Sequence, residues 1–131
     1  MNRAGAASTA RRRPQRETMN DTVVFIAGDR LGQGDDQLGE ALMLAAVKTL
    51  AKAPGGPPSH VLFMNYGVKL CCEGSYALDD LRALAAAGVE LLSCGTCLDW
   101  FDLKDKLAVG RESNMGEILG LQMGAGRVVR L

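Results

Sequence analysis

Aromatic residues and long hydrophobic runs are what this sequence has least of. Only 5% of its 131 residues are aromatic, and it has one tryptophan and one histidine. No stretch approaches the ~18 apolar residues that a membrane-spanning helix needs. The 47% of hydrophobic residues still supply enough material for one two- or three-layer core, built mainly from leucine, valine, alanine and methionine. We therefore expect a single globular domain without a membrane segment.

Net charge is also absent, but the charges are unevenly placed. Of fifteen basic and fifteen acidic residues, five arginines and one glutamate precede Met19, which leaves a net charge of −4 for residues 19–131. This acidic part offers no basic surface for nucleic acid.

Residues 1–18 are rich in alanine and arginine and cannot bury enough surface to fold. They have no apolar segment typical of a secretory signal. We expect a mis-assigned start, with translation from Met19, or a disordered basic tail; a transit peptide has less support. Residues 19–131 form the predicted domain, which we expect in the cytoplasm.

Hydrophobic periodicity predicts that strands and helices alternate after Met19. Strands are predicted over residues 21–27, 60–64 and 89–93, near 108–109, and over 127–131. Helices are predicted over residues 36–52, 75–87, 98–107 and 114–123, with Ser75 and Asn114 as N-caps. This alternation indicates an α/β fold with right-handed crossovers, a parallel sheet and helices on both faces.

Sites in such sheets form where the strands end at their carboxyl edge. Three loops emerge at that edge, over residues 28–35, 65–73 and 94–97. The first is rich in glycine, but it lacks the Gly-Lys-Ser/Thr ending of a phosphate loop and its acids would repel phosphate.

The most specific pattern is the pair Cys94 and Cys97, separated by two residues. Two thiols at a strand-to-helix turn can form a disulfide or bind a metal. A helix N-terminus would favour the thiolate of Cys94. Gly95 allows a tight turn, and Thr96 is a candidate hydrogen-bond donor to sulfur. The plain alternative is that both cysteines are small buried residues.

Two charged residues are candidates for supporting roles. Lys69 is a candidate for lowering a thiol pKa, although a solvated loop lysine is the equal alternative, and Asp29 is a candidate for placing an acid beside the thiols. Cys71 and Cys72 are interpreted as packing residues or as one accessory thiol, and a four-thiolate metal site as the less favoured reading.

Three ring-bearing residues are interpreted mainly as structural. His60 is expected at the surface and at the opposite end of the sheet from the cysteines, which argues against a Cys–His catalytic pair. Trp100 and Phe101 are expected to anchor the core. If exposed, they would form an apolar lip for a partner protein.

Several ordered motifs resemble the DsrE/DsrF-like family, most closely the DsrE-like C-terminal domain of YedF-type proteins, which are sulfurtransferase-like proteins of selenium metabolism. The resemblance covers residues 22–131. Its motifs are residues 28–39, 65–70, 73–75, 89–98, 103–110 and 113–115.

The resemblance implies a three-layer α/β/α fold with a mainly parallel sheet of about five strands. It implies that Cys94 carries a persulfide, that Cys97 belongs to the YedF-type pattern, and that Ser113 and Asn114 lie near the active loop. Asn65 belongs to a matching motif. It also implies a TusA-like or other sulfur-carrier protein as partner, multimers of the chain, and no cofactor beyond covalently carried sulfur. Zinc is not favoured.

The leading hypothesis is a sulfurtransferase-like carrier of persulfide sulfur or selenium. Cys94 would accept the sulfur, and Cys97 would resolve or release it. A thiol–disulfide oxidoreductase that uses the same pair is one alternative. A non-catalytic module that binds zinc or a partner is the other.

Overall fold

The computed structural model describes residues 20–131, so the expectations for residues 1–18 lie outside the described residues. The strands are β1 (Thr22–Ile26), β2 (His60–Phe63), β3 (Glu90–Cys94), β4 (Arg111–Ser113) and β5 (Arg127–Arg130). The α-helices are α1 (Asp36–Leu50), α2 (Leu78–Ala86), α3 (Gly95–Trp100) and α4 (Met115–Gly124), with 3-10 helices at Asn65–Cys71 and Lys104–Lys106.

The five strands form one parallel sheet in the order β4-β3-β2-β1-β5. The central strands are nearly continuous apolar runs, as expected of strands that are covered on both faces. The predicted α/β fold with a five-stranded parallel sheet is confirmed.

Successive residues of β1 point to opposite faces of the sheet and so belong to different apolar clusters. Val24 and Ile26 pack in the larger cluster, with residues of α1, α2, α3 and the first 3-10 helix. Val23 packs in a smaller cluster, to which α4 contributes Ile118. The sheet is therefore the middle of three layers, and α4 covers one face.

Side chains cap two of the helices. Asp35 accepts a hydrogen bond from the Leu38 N–H at 2.8 Å, and Asn114 accepts one from the Glu117 N–H at 2.9 Å. The cap predicted at Asn114 is therefore present. The Glu117 carboxylate does not reach back to complete a capping box; it binds Arg111 at 2.6 Å, which ties α4 to β4.

The strand predicted near residues 108–109 is wrong in position. The N–H groups of Ala108 and Val109 both donate to the Cys71 carbonyl, at 2.8 and 3.2 Å, so this backbone is joined to the loop after β2. The edge strand β4 begins only at Arg111.

Two helix boundaries also differ from the sequence prediction. The helix predicted over residues 98–107 begins at Gly95 and ends at Trp100, because Asp102 adopts a left-handed backbone with φ of 57°. Ser75 does not cap α2: its hydroxyl accepts from the Ala77 N–H at 3.0 Å, within the turn before Leu78.

Within the described range, no helix combines the length and the apolar character that a bilayer crossing requires.

Candidate functional site

The cysteine pair lies at the carboxyl edge of the sheet, as predicted. Cys94 is the last residue of β3 and is paired with Ser113 of β4. His60 pairs with Glu90 at the other end of these strands, four residues or about 13 Å away. Its placement away from the cysteines is therefore as predicted. Its side chain is only 16% exposed, so the expectation of a surface residue is wrong.

The two thiols differ in their access to solvent. Cys94 is 2% exposed and packs in the smaller apolar cluster, between the sheet and α4. Cys97 is half-buried and packs against both apolar clusters. Of the two, Cys97 is the thiol that a partner or reagent reaches first.

A backbone amide is directed at the more accessible sulfur. The N–H of Asn65 donates to Sγ of Cys97 at 3.1 Å. Asn65 follows β2 and has a left-handed backbone, with φ of 52°, a conformation that asparagine tolerates better than most residues. The loop after β2 thus brings a hydrogen-bond donor to the cysteine loop after β3.

Gly67 fixes the position of this donor loop. A Cβ atom on Gly67 would lie 2.3 Å from the Ile26 carbonyl oxygen. The Met64 N–H donates to the same carbonyl at 3.0 Å. The loop therefore packs directly on the end of β1, which accounts for glycine in the sequence Asn-Tyr-Gly.

Burial raises the pKa of the Cys97 thiol above its ordinary value of 9.0, and the neighbouring Cys94 thiol raises it further. The Asn65 N–H acts in the opposite direction, because a hydrogen bond to sulfur stabilises the thiolate. The Cys97 thiol is therefore protonated at neutral pH. The Asn65 N–H is already in position to stabilise the thiolate when it forms.

A carboxylate that the sequence reasoning missed lies against the cysteine loop. A Cβ on Gly95 would meet Oε2 of Glu112 at 2.4 Å, so this glycine allows the close approach of a side chain. Lys104 balances the carboxylate with its Nζ at 3.3 Å from Oε2. Glu112 follows from the pairing of β3 with β4, which sequence spacing does not reveal.

Three other predicted site residues do not contact the sulfurs. Thr96 is exposed, and among the described residues its hydroxyl has no hydrogen bond to either thiol. Ser113 lies beside Cys94 in the sheet, but its hydroxyl donates to Glu117 at 2.5 Å. Asn114 caps α4. The last two residues connect β4 to α4 and so support the layer that covers Cys94.

The vicinal cysteines lie apart from the pair. Burial raises the pKa of Cys71 to about 12, and the Ser93 hydroxyl offsets this only in part. The Ser93 hydroxyl lies near enough to favour the Cys71 thiolate, but it makes no hydrogen bond of ordinary geometry among the described residues. Burial also raises the pKa of Cys72, whose thiol donates to the Val68 carbonyl at 3.3 Å. Within residues 20–131, no three His, Cys, Asp or Glu side chains converge as metal ligands would.

Asp29 and Lys69 both line a neighbouring cleft, and among the described residues neither has a hydrogen bond to the thiols. The cleft measures about 420 Å³ and is lined by both residues. The Lys69 ammonium lies over the rings of Tyr66 and Phe101, with Nζ at 4.1 and 4.9 Å from their centroids.

The two aromatic residues after the cysteine loop have different surroundings. Trp100 is 83% exposed, so the expectation that it anchors the core is wrong. Phe101 is partly buried, and its ring lies 5.2 Å from that of Tyr66. The left-handed backbone of Asp102 ends α3, so no further helical turn follows Trp100.

Two solved structures have the same fold. The YchN protein from E. coli matches with a TM-score of 0.67 at 19% identity, over 86% of this chain and 100% of that one. MTH1491 from Methanobacterium thermoautotrophicum, a protein of unknown function, matches with a TM-score of 0.63 at 23% identity, over 84% of this chain and 97% of that one. No protein-family model and no curated protein matches the chain.

The two structural neighbours have DsrE/DsrF-like folds, so the fold of this chain is DsrE-like. At these identities the likeness defines the architecture.

Proposed function

We propose that this protein is a sulfurtransferase-like carrier that holds a persulfide on the pair Cys94 and Cys97. The observation that carries the proposal is a pair of thiols at the carboxyl edge of a DsrE-like sheet. One thiol is buried, the other is accessible, and the two interact with each other. The resemblance to YedF-type proteins supports sulfur or selenium as the cargo.

The exposures of the two thiols suggest an order of events. The Cys97 thiolate attacks the outer sulfur of a donor persulfide, and the S–S bond of the donor breaks. The inner sulfur of the donor leaves as a thiolate and takes up the proton of Cys97. The new Cys97 persulfide then passes its outer sulfur to the Cys94 thiolate, and Cys97 regains a proton. Each step transfers one sulfane sulfur, and no electrons are lost or gained overall.

Each residue has a separate task in this sequence. The Asn65 N–H stabilises the thiolate that forms on Cys97, since a donor aimed at a developing anion lowers its free energy. The apolar cluster around Cys94 keeps water and small thiols away from the stored sulfur. A TusA-like or other sulfur-carrier protein is the proposed donor or acceptor.

The test is mass spectrometry of the native protein after incubation with a small persulfide donor. The wild type is expected to gain one sulfur atom. Both cysteines lie between Arg82 and Lys104, so tryptic cleavage leaves them in one peptide and fragmentation must locate the added mass. Cys97→Ser should load far more slowly, because Cys94 is buried. Cys94→Ser should load but lose its sulfur rapidly to added thiol.

Cys72→Ser is the matched control, because Cys72 is a buried free thiol outside the pair. It should load and retain sulfur like the wild type. The proposal is overturned if Cys94→Ser both loads and retains sulfur at the wild-type level, or if the added mass lies on Cys71 or Cys72. Catalytic reduction of a test disulfide without any persulfide formation would instead support the oxidoreductase.

A further inference from the structure

The cleft beside the cysteine pair has no part in the sulfur steps above. Its volume of about 420 Å³ lies within the range of about 300–1,000 Å³ that is typical of small-molecule sites. Phe101 forms part of its wall, and the Phe101 N–H donates to the Cys97 carbonyl one helical turn away, at 3.1 Å. The cleft therefore adjoins the cysteine loop.

One side of the cleft carries an ammonium without an acidic partner. In the described part of the chain, no carboxylate oxygen lies within 4.0 Å of the Lys69 Nζ, so Lys69 forms no ion pair there. Its neighbours are the faces of Tyr66 and Phe101, which hold the ammonium in place but donate and accept no proton. The Lys69 ammonium therefore has a charge that an anionic group of a ligand can pair with.

The lining of the cleft is also acidic. Asp29, Glu40 and Glu73 contribute carboxylates to the lining. Arg30 lies outside the lining and pairs with Asp29 at 3.8 Å and with Glu40 at 3.4 Å. Glu73 has no ion pair among the described residues, so it is the carboxylate best placed to accept a cationic group from a ligand.

Apolar side chains complete the lining, namely Leu70, Phe101 and Leu103. The Tyr76 hydroxyl donates to the Asp29 carbonyl and joins the loop after β1 to the segment before α2. Burial raises the pKa of Tyr76 to about 12, so this hydroxyl keeps its proton. The lining of the cleft thus combines one cationic, three acidic and three apolar side chains.

We propose that this cleft binds a small zwitterionic α-amino acid. The carboxylate of the ligand binds the Lys69 ammonium, and its ammonium group faces Glu73 and Asp29. Its side chain packs against Phe101 and the two leucines. A simple anion would be repelled by the carboxylates of the lining, and a simple cation would be repelled by Lys69, so a ligand with both charges fits this lining best.

The test is calorimetric titration of the full chain with L-alanine, propionate and ethylamine. Alanine is expected to bind, and the two singly charged probes should bind about tenfold more weakly or worse, because each loses a charge-assisted hydrogen bond. These probes contain no sulfur, so the result is independent of the proposed persulfide chemistry. Amide shifts in NMR should change at Gly74 and Ser75, which line the cleft.

The matched variants are Lys69→Met and Lys52→Met. Lys69→Met keeps an unbranched stem over the rings but removes the charge, and should weaken alanine binding about tenfold. Lys52 is exposed just after α1, outside the lining, so its variant should bind like the wild type. Lys69→Arg keeps the charge and should retain most of the affinity, which controls for misfolding.

Three results would overturn the proposal. The first is propionate binding as tight as that of alanine, which would define a plain anion site. The second is unchanged alanine binding in a folded Lys69→Met variant. The third is the absence of heat and of amide shifts with alanine up to about 10 mM, which is about ten times the dissociation constant of a 1 mM ligand.

Discussion

Cys97 lies where two apolar clusters meet, and its neighbours act on its proton in opposite directions. Burial and the Cys94 thiol favour the neutral form, whereas the N–H of Asn65 favours the thiolate. Because the pKa of Cys97 is raised, burial and the Cys94 thiol outweigh the Asn65 N–H in the resting protein. The Cys97 thiol is therefore protonated and unreactive at neutral pH, and it must lose its proton when a sulfur donor binds.

This balance predicts how the alkylation of Cys97 depends on pH. With a pKa above 9.0, the thiolate fraction rises about tenfold per pH unit between pH 6 and 8, and so should the rate with iodoacetamide. The rate is measured by peptide mass spectrometry of the folded wild type. Cys71, which is fully buried with a pKa of about 12, should stay unlabelled. A rate that levels off below pH 8 would contradict the raised pKa.

At this scale, the sequence predicted the contacts that depend on a short motif and missed those that depend on tertiary structure. The spacing of Cys94 and Cys97 was sufficient to place two thiols at one edge. The approach of Glu112 to Gly95 depends on strand register, and the position of Lys69 depends on two rings from different loops. The spacing of Tyr66 and Lys69 is local, but the approach of Phe101 and that of Glu112 leave no signal in the sequence.

Helix α4 forms one outer layer, and Ile118 is its single fully buried residue among those described. A clamp supplements this contact, because Arg111 of β4 binds the Glu117 carboxylate through two nitrogens, at 2.6 and 3.1 Å. The clamp holds the pKa of Glu117 down at about 2. Its contribution to stability is therefore present above the ordinary carboxyl pKa and is lost as the pH falls toward 2.

Because α4 packs on the sheet mainly through Ile118, substitutions of Ile118 and of its neighbour Leu119 should differ sharply in their effect on stability. Ile118→Ala should lower the free energy of unfolding by about 2–5 kcal/mol, because it leaves a cavity between α4 and the sheet. Leu119→Ala should change it by about 0.5 kcal/mol or less, since Leu119 is 49% exposed. Urea denaturation measures both. Equal effects of the two substitutions would show that α4 packs differently.

Among the elements, strands and helices with strong apolar periodicity were predicted nearly in full. The strand near residues 108–109 was predicted from two apolar residues, but their N–H groups bond to a carbonyl from another loop. The helix after Cys97 was predicted too long, because the left-handed Asp102 ends it. Tertiary hydrogen bonds and single backbone angles decide such boundaries, and hydrophobic patterns do not encode them.

At the scale of the molecule, residues 20–131 supply a five-stranded sheet and an apolar cluster on each of its faces. We therefore expect a chain that begins at Met19 to unfold at the same temperature as the full chain and to load sulfur equally well. A chain that begins at Val24 loses two residues of β1, which lies between β2 and β5, and should not unfold cooperatively. Calorimetry distinguishes these cases. A lower midpoint for the chain from Met19 would contradict the predicted domain boundary.

The exposed indole has a consequence for following the chemistry. Trp100 is the single tryptophan of the chain, and it follows Cys97 by three residues on α3, so both side chains lie on the same side of that short helix. Sulfur atoms quench indole emission, and no second tryptophan contributes a background signal. The protein thus carries a fluorophore one helical turn from the thiol that meets the donor, and we expect loading of the site to change the emission of Trp100.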